Sequence, residues 1–175
     1  MSGRRPDGGV REDTSLADVR AIEQAMGPER ELVALRLRRG CRCFAAWNGD
    51  AVLGYGWLSS GPEWIGEVGL ELTPAPGEAY IWNCVTLPPH RLRGVFRQLV
   101  AAILERARAE GLQRLWIAGL AGTAESALGP LGFEPVVRIT RSADELVVDA
   151  VAPEGLAVLG LDARRRFPAG PSRRH

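Results

Sequence analysis

The sequence predicts a mixed α/β sheet in one domain, and three observations predict it. Residues 41–47 (CRCFAAW) and 51–59 (AVLGYGWLS) flank Asn48-Gly49-Asp50, a strong hairpin signal. Residues 79–87 (AYIWNCVTL) form a nearly continuous apolar run, the mark of a strand covered on both faces. After Pro88-Pro89 the texture changes to helix, strand, helix and strand. With 175 residues, 46% apolar and 25% charged, the chain is long enough for one domain with a core and short for two.

Taken in order, residues 1–13 (MSGRRPDGGVRED) are polar and rich in Gly and Arg, and are expected to form a disordered tail. The folded domain is expected over 14–152. Thr14 or Ser15 can cap a helix carrying Leu16, Val19, Ile22 and Met26, broken by Gly27-Pro28. A second helix follows, with Pro28 in its first turn, Leu32, Leu35 and Leu37 as its apolar side, and Gly40 beyond its end. After the hairpin, residues 64–72 (WIGEVGLEL) predict a third strand on which Glu67, Gly69 and Glu71 share one side. Beyond 79–87, a helix runs from about Gly94 to Glu110 with Phe96, Leu99, Val100, Ile103 and Ala107 at core spacing. Strand 112–120, a short helix opened by Gly122-Thr123 and closed by Gly132, and strands 133–141 and 146–151 complete the domain. Residues 153–175 are expected as loop and basic tail.

The net charge of +1 comes from 22 basic and 21 acidic residues, and all 22 bases are arginine. The absence of lysine excludes a Schiff-base lysine, a lysine general base and a P-loop. The charge is uneven: residues 1–11 sum to +2 and residues 164–175 to +5, leaving −6 for the body. Nothing aromatic interleaves the terminal arginines as single-strand nucleic-acid binding requires, so nucleic acid is disfavoured as a partner. Cys41, Cys43, Cys84 and two histidines give no zinc spacing, and no metal is expected. The odd cysteine count and the lack of a signal peptide or a long apolar run predict a cytoplasmic protein with no membrane partner.

The informative segment is Ala79–Val100. An apolar strand passes through two prolines into Arg91-Leu92-Arg93-Gly94-Val95-Phe96 and directly into an amphipathic helix. Backbone N–H groups at a glycine-containing helix start form an anion cradle, which the helix dipole reinforces. Arg91 and Arg93 add side-chain charge suited to phosphate, and Gly94 permits close backbone approach. These features ask for a pyrophosphate.

The segment resembles the GNAT superfamily of acyl-CoA-dependent N-acyltransferases, whose Arg/Gln-x-x-Gly-x-Gly/Ala motif opens a helix after a central strand. Leu115-Trp116-Ile117 and Pro130-Leu131-Gly132-Phe133 look like the family's next strand and its "LGF" ending, in the right order. The resemblance covers about residues 41–141. It implies a mostly antiparallel sheet flanked by helices with a central splayed strand pair, acetyl-CoA or another acyl-CoA as cosubstrate, and a small-molecule, peptide or protein amine as acceptor. It also implies that Val85 and Thr86 line the pantetheine arm where the family's fourth and fifth strands part. Backbone N–H groups from Leu92, Arg93, Gly94, Val95 and Phe96 would hold the pyrophosphate with Arg91 and Arg93 nearby. A backbone N–H around Cys84–Val85 would polarise the thioester carbonyl. The last two strands are a common place for such domains to pair as homodimers.

Three positions depart from the family. Phe96 stands where glycine or alanine is usual, Ala121 where an asparagine is frequent, and Leu128 where a tyrosine often protonates the CoA thiolate. Two readings follow: an acyltransferase working by direct attack of the amine, or a CoA-binding module with little catalysis that serves regulation or a partner subunit. Candidates for the general base are Glu67, Glu71 and Glu78, each acting through water. Asn83, the one strongly polar residue inside its strand, can orient an acceptor or be a buried amide. Cys84 falls near the expected thioester, as a nucleophile or as a small buried side chain.

Overall fold

The computed structural model describes residues 8–13, 15–142, 145–160 and the backbone of 165–168. In chain order the strands and helices are β1 (Gly9–Glu12), α1 (Leu16–Met26), α2 (Leu32–Arg38), β2 (Arg42–Asn48), β3 (Ala51–Ser59), β4 (Glu63–Ile65) and β5 (Leu70–Leu72). They continue with β6 (Glu78–Thr86), α3 (Val95–Ala109), β7 (Arg114–Ile117), α4 (Thr123–Leu128), β8 (Val137–Arg141), β9 (Glu145–Ala150), α5 (Pro153–Val158) and β10 (Arg165–Pro168). Two compact units result: one up to Ser60 together with Gly77–Ala118, the other Gly61–Pro76 together with the chain from Gly119.

The first unit is a five-stranded sheet in the order β1-β2-β3-β6-β7, antiparallel throughout except for the parallel pair β6–β7. On one face Tyr55 and Trp57 of β3 and Cys43 and Ala45 of β2 join Ile22, Met26 and Val33 from α1 and α2 in a single core cluster. On β3 the intervening positions are Gly54 and Gly56, and α3 packs over them: a Cβ on Gly54 would lie 3.0 Å from Val95 Cγ1, and one on Gly56 3.7 Å from Ile103 Cδ1. The glycines thus bring α3 down onto the sheet. Within α3 the buried stripe is Val95, Leu99, Val100, Ile103 and Ala107, while the expected core position Phe96 is only half-buried.

Local chemistry explains α1 well. Ser15 accepts the Asp18 N–H at 3.2 Å, Asp18 occupies the positive first turn, and Gly27 (φ 57°) ends the helix. On α2 the periodicity is rotated from expectation. Val33 and Arg36 are buried, whereas Leu32 and Leu35 are 38% and 44% exposed. Pro28 lies in a 3-10 turn (Gly27–Glu29) before α2 rather than in its first turn.

Two expectations about the ends are corrected. Residues 9–12, assigned to a tail on composition, pair with β2 from Gly9↔Trp47 to Glu12↔Phe44. Side chains hold them there: Arg42 forms a bidentate pair with Glu12 (2.8 and 2.6 Å) and a second with Glu110 of the α3 end (2.6 and 2.9 Å). Likewise Pro153 begins a one-and-a-half-turn helix, α5, that buries Leu156 and Val158 where loop was expected. Residues 1–7 of the expected N-terminal tail, and all of the basic C-terminal run except the backbone of 165–168, lie outside the described residues.

In the second unit, residues 64–72 are not one strand. Trp64 and Glu71 pair across a short β4–β5 hairpin whose turn, 66–69, contains Glu67 and the left-handed Gly69 (φ 69°). The two glycines at 66 and 69 break the alternation that a nine-residue strand needs. β8, β9 and β10 form a separate antiparallel sheet.

Behind β1, Asp13 is 1% exposed and accepts hydrogen bonds from Trp47 Nε1 (3.2 Å) and Arg11 Nε (3.1 Å). Burial pushes its carboxyl up from 3.8 to about 6, against the opposing pull of those two donors. A carboxyl raised in the folded state favours folding most below its unfolded pKa, and that contribution is lost as pH rises through its folded value. Urea unfolding at pH 4, 5, 6 and 7 should therefore show the stability of wild type relative to Asp13→Asn falling by up to about 3 kcal/mol between pH 4 and 6.5, then staying level.

Candidate active site

The site is built around β6. Its first four residues, Glu78–Ile81, lie parallel to β7, and Tyr80 and Ile81 are also paired antiparallel to β3. Glu78 fastens this end, accepting from Trp116 Nε1 at 2.7 Å and Arg114 Nη1 at 3.2 Å. Pairing with β7 stops at Ile81↔Ile117, yet β6 continues to Thr86. From Trp82 onward no strand among the described residues pairs with the edge that faced β7.

Where β7 leaves, β6 also changes register with β3. Trp82 pairs with Trp57 but Val85 pairs with Tyr55, so Asn83 and Cys84 together face the single residue Gly56. Asn83 takes φ 45°, a left-handed conformation that asparagine tolerates better than most residues. Glycine is required opposite: a Cβ on Gly56 would meet Cys84 Sγ at 2.8 Å, and one on Gly54 would meet the Val85 carbonyl oxygen at 2.6 Å.

Beyond Thr86 the chain turns sharply. Leu87 N–H bonds Leu53 O at 2.9 Å, Pro88–His90 make a 3-10 turn, and Arg91 Nε–H reaches back to Thr86 O at 3.4 Å. Leu92 (φ 60°) and Gly94 (φ 78°) are both left-handed, and α3 starts immediately after. The helix ladder begins with Gln98 N–H to Gly94 O at 3.0 Å, so the N–H groups of Val95, Phe96 and Arg97 precede it without a helical acceptor. Alternating handedness followed by free helix-start donors is an anion nest. Leu92, Arg93 and Gly94 are exposed, and no protein atom lies within 4 Å of where a Gly94 Cβ would stand. The strand ends at Thr86 and the nest begins at Leu92, six positions further on.

A family model for GNAT acetyltransferases matches residues 12–127, well over half of the chain. The chain belongs to the GNAT acetyltransferase family. Solved structures carry the same fold at low identity. One is a GNAT family acetyltransferase from Brucella melitensis in complex with acetyl-CoA, at 17% identity and TM-score 0.57, covering 96% of this chain and 98% of that one. Another is an acetyltransferase from Trypanosoma brucei, at 18% identity and TM-score 0.57, covering 78% and 99%. A third, AAC(6')-Iy in complex with the bisubstrate analogue CoA-S-monomethyl-acetylneamine, stands at 16% identity and TM-score 0.58, covering 77% and 96%. No curated protein sequence matches the chain significantly. Acyl-CoA is the usual cosubstrate of the family.

The family's mixed, mostly antiparallel sheet is the architecture seen here. The residues expected to hold the cosubstrate, Val85, Thr86 and Arg91 to Phe96, fall on the free edge of β6 and on the nest. The catalytic candidates are not brought together in the expected way. Glu67 sits in a turn and Glu71 on β5, so the shared strand face on which their pairing rested does not form. Both are exposed, and the Glu67 carbonyl accepts from Arg141 Nη1 at 3.2 Å. Glu78 is occupied by Trp116 and Arg114. Burial pushes the Cys84 thiol up to about 12, which keeps it protonated and leaves its backbone N–H as its chemical asset. Leu128 is a buried apolar residue at the end of α4, and Ala121 is exposed. Among the described residues, no helix is long and apolar enough to cross a membrane and no group of three or more His, Cys, Asp or Glu is placed to hold a metal ion.

Sequence reasoning missed a polar cluster on the α1–α2 face. Arg36, buried, stacks over Trp82 (4.6 Å) and Trp57 (5.2 Å), and its Nη2 donates to Glu29 Oε2 at 3.1 Å. Asn83 Nδ2 donates to the same oxygen at 3.3 Å. The available signal was the spacing of Val33 and Arg36, which places arginine on the buried side of α2.

Iodoacetamide at pH 7.5 should leave Cys84 unmodified in the folded protein and alkylate it together with Cys41 and Cys43 in urea, as read by peptide mass mapping. Rapid native labelling of Cys84 would refute the half-buried, protonated thiol.

Proposed function

We propose that this chain transfers an acetyl or other acyl group from acyl-CoA to an amine by direct attack, with no covalent enzyme intermediate. The observation that carries this reading is the anion nest at Leu92–Phe96, entered directly from a strand whose outer edge is unpaired. The nest fits a pyrophosphate: its N–H donors are open, and Arg93 and the guanidinium end of Arg91 supply fixed positive charge. The open edge at Val85 and Thr86 fits an amide-bearing arm that can pair with it as a strand would. Bound there, acyl-CoA supplies an activated thioester.

The protein's own part is positioning and electrostatics. The bulge takes its extra residue out of the regular β3–β6 ladder, and a backbone N–H from Asn83–Val85 is the donor we assign to a developing oxyanion. Leaving-group chemistry is undemanding, since a CoA thiolate can be protonated by water where Leu128 replaces a hydroxyl side chain. That same burial of an apolar residue favours the second reading, a CoA-binding module with weak turnover.

Calorimetry with CoA and thiol release from acetyl-CoA over an amine panel test both. Gly94→Glu places a Cβ at φ 78° and a carboxylate in the nest, and CoA affinity should fall roughly 10- to 100-fold with little loss of thermal stability. CoA binding without thiol release supports the module. Absence of CoA binding in wild type overturns both readings.

A further inference from the structure

We propose that Glu29 receives the ammonium group of the acceptor and takes its proton, held in place by Arg36 and Asn83. The proposal rests on the acyltransfer reading above and names the acceptor side of that site.

Glu29 closes the 3-10 turn between α1 and α2, and its side chain is 51% exposed while that of Arg36 is 8% exposed. Arg36 has no freedom to act on a substrate. Its guanidinium lies over two indole rings whose centroids are 6.3 Å apart, its Nη1 faces Met26 Sδ at 3.9 Å, and its Nη2 is spent on Glu29. What this buried cation does is fix a carboxylate, leaving a negative charge facing outward.

Asn83 sets the carboxylate beside the reacting strand. It is the left-handed residue of the bulge, and it ties Glu29 Oε2 to the segment whose next two N–H groups are the candidates for the thioester oxygen. The amide orientation follows from chemistry, since the reverse flip would set Oδ1 against a carboxylate. In this orientation Oδ1 is buried and has no partner. An incoming ammonium therefore meets the half-exposed Glu29 carboxylate, while Asn83, its Oδ1 enclosed, serves to hold that carboxylate beside the bulge. Glu78, by contrast, is five residues back along β6, roughly 16 Å away.

The walls define the substrate class. Trp82, Val85 and Leu87, half-buried against the core cluster, are the apolar neighbours of Asn83 on its own strand and its end. A single carboxylate beside apolar surface selects a primary amine carried on an apolar carbon chain or ring. In the reaction one ammonium proton passes to Glu29, and the freed lone pair forms the C–N bond at the thioester carbonyl. The C–S bond then breaks, and the departing thiolate takes the second nitrogen proton through water, giving an amide and free CoA thiol.

The probe is n-hexylamine, with 1-hexanol as its uncharged counterpart, and the variants are Glu29→Gln and Glu29→Asp. Wild type should acetylate hexylamine. Glu29→Gln should lower kcat by roughly 100-fold with the KM for acetyl-CoA unchanged, and Glu29→Asp should recover part of it. The unchanged KM, with a thermal melt, guards against loss of fold when Arg36 loses its charged partner. A Glu29→Gln kcat within twofold of wild type overturns the proposal. If wild type releases no thiol, the acyltransfer reading has failed by itself, and calorimetry of hexylamine against CoA-saturated protein decides the assignment of Glu29. Binding of hexylamine but not hexanol that Glu29→Gln abolishes sustains it. Equal binding of both ligands, binding that survives the substitution, or no hexylamine binding overturns it.

Discussion

The single extra residue in β6 opposite Gly56 is the constraint on which the rest depends. A regular antiparallel pair would carry β6 past β3 with every N–H committed and every side chain alternating. Two residues facing one instead rotate the strand at Asn83–Cys84, just after β7 has ended its pairing at Ile81. The rotation is possible only because β3 offers glycine at 54 and 56, where a Cβ would strike Val85 O or Cys84 Sγ. The same two glycines let α3 descend onto the sheet, which sets where its N-terminal turn lies. One packing feature therefore sets both the bulge in β6 and the position from which α3 starts.

The opposite face of the sheet solves a different problem. Burying Arg36 over two indoles is unfavourable unless its charge is answered, and Glu29 answers it. The pairing fixes the turn between α1 and α2 against the bulge through Asn83. Under the acyltransfer reading proposed above, rigidity at this point helps by holding two reactants in register. The Tyr55 hydroxyl, pushed up first by its burial and then by the charge of Glu29, adds no competing anion there.

The glycine-led start of α3 was legible from residues alone. Gly94 at a helix start after a strand and two prolines is a local pattern, and local patterns survive into the fold because few other contacts compete with them. The acceptor side was less legible. Glu67 and Glu71 looked paired because alternation was assumed to run through Gly66 and Gly69, and the turn there separates them. Glu29 stands in the 3-10 turn before α2 and belongs to no local motif. Its significance lies in a contact with a residue 54 positions away, which no spacing rule encodes.

By itself the sequence determined the β2–β3 hairpin, the apolar course of β6 and the glycine-led start of α3, because each depends on neighbours within a turn or a strand. Tertiary structure decided the rest. It drew residues 9–12 into the sheet against their composition, through Arg42, Glu12 and the Asp13–Trp47 contact. It turned α2 so that an arginine rather than leucines faces inward, because a stacked and paired guanidinium satisfies that site. And it brought Glu29, Arg36 and Asn83 to one place, since side chains from a turn, a helix and a strand can share a charge only after all three have packed on the same face of the sheet.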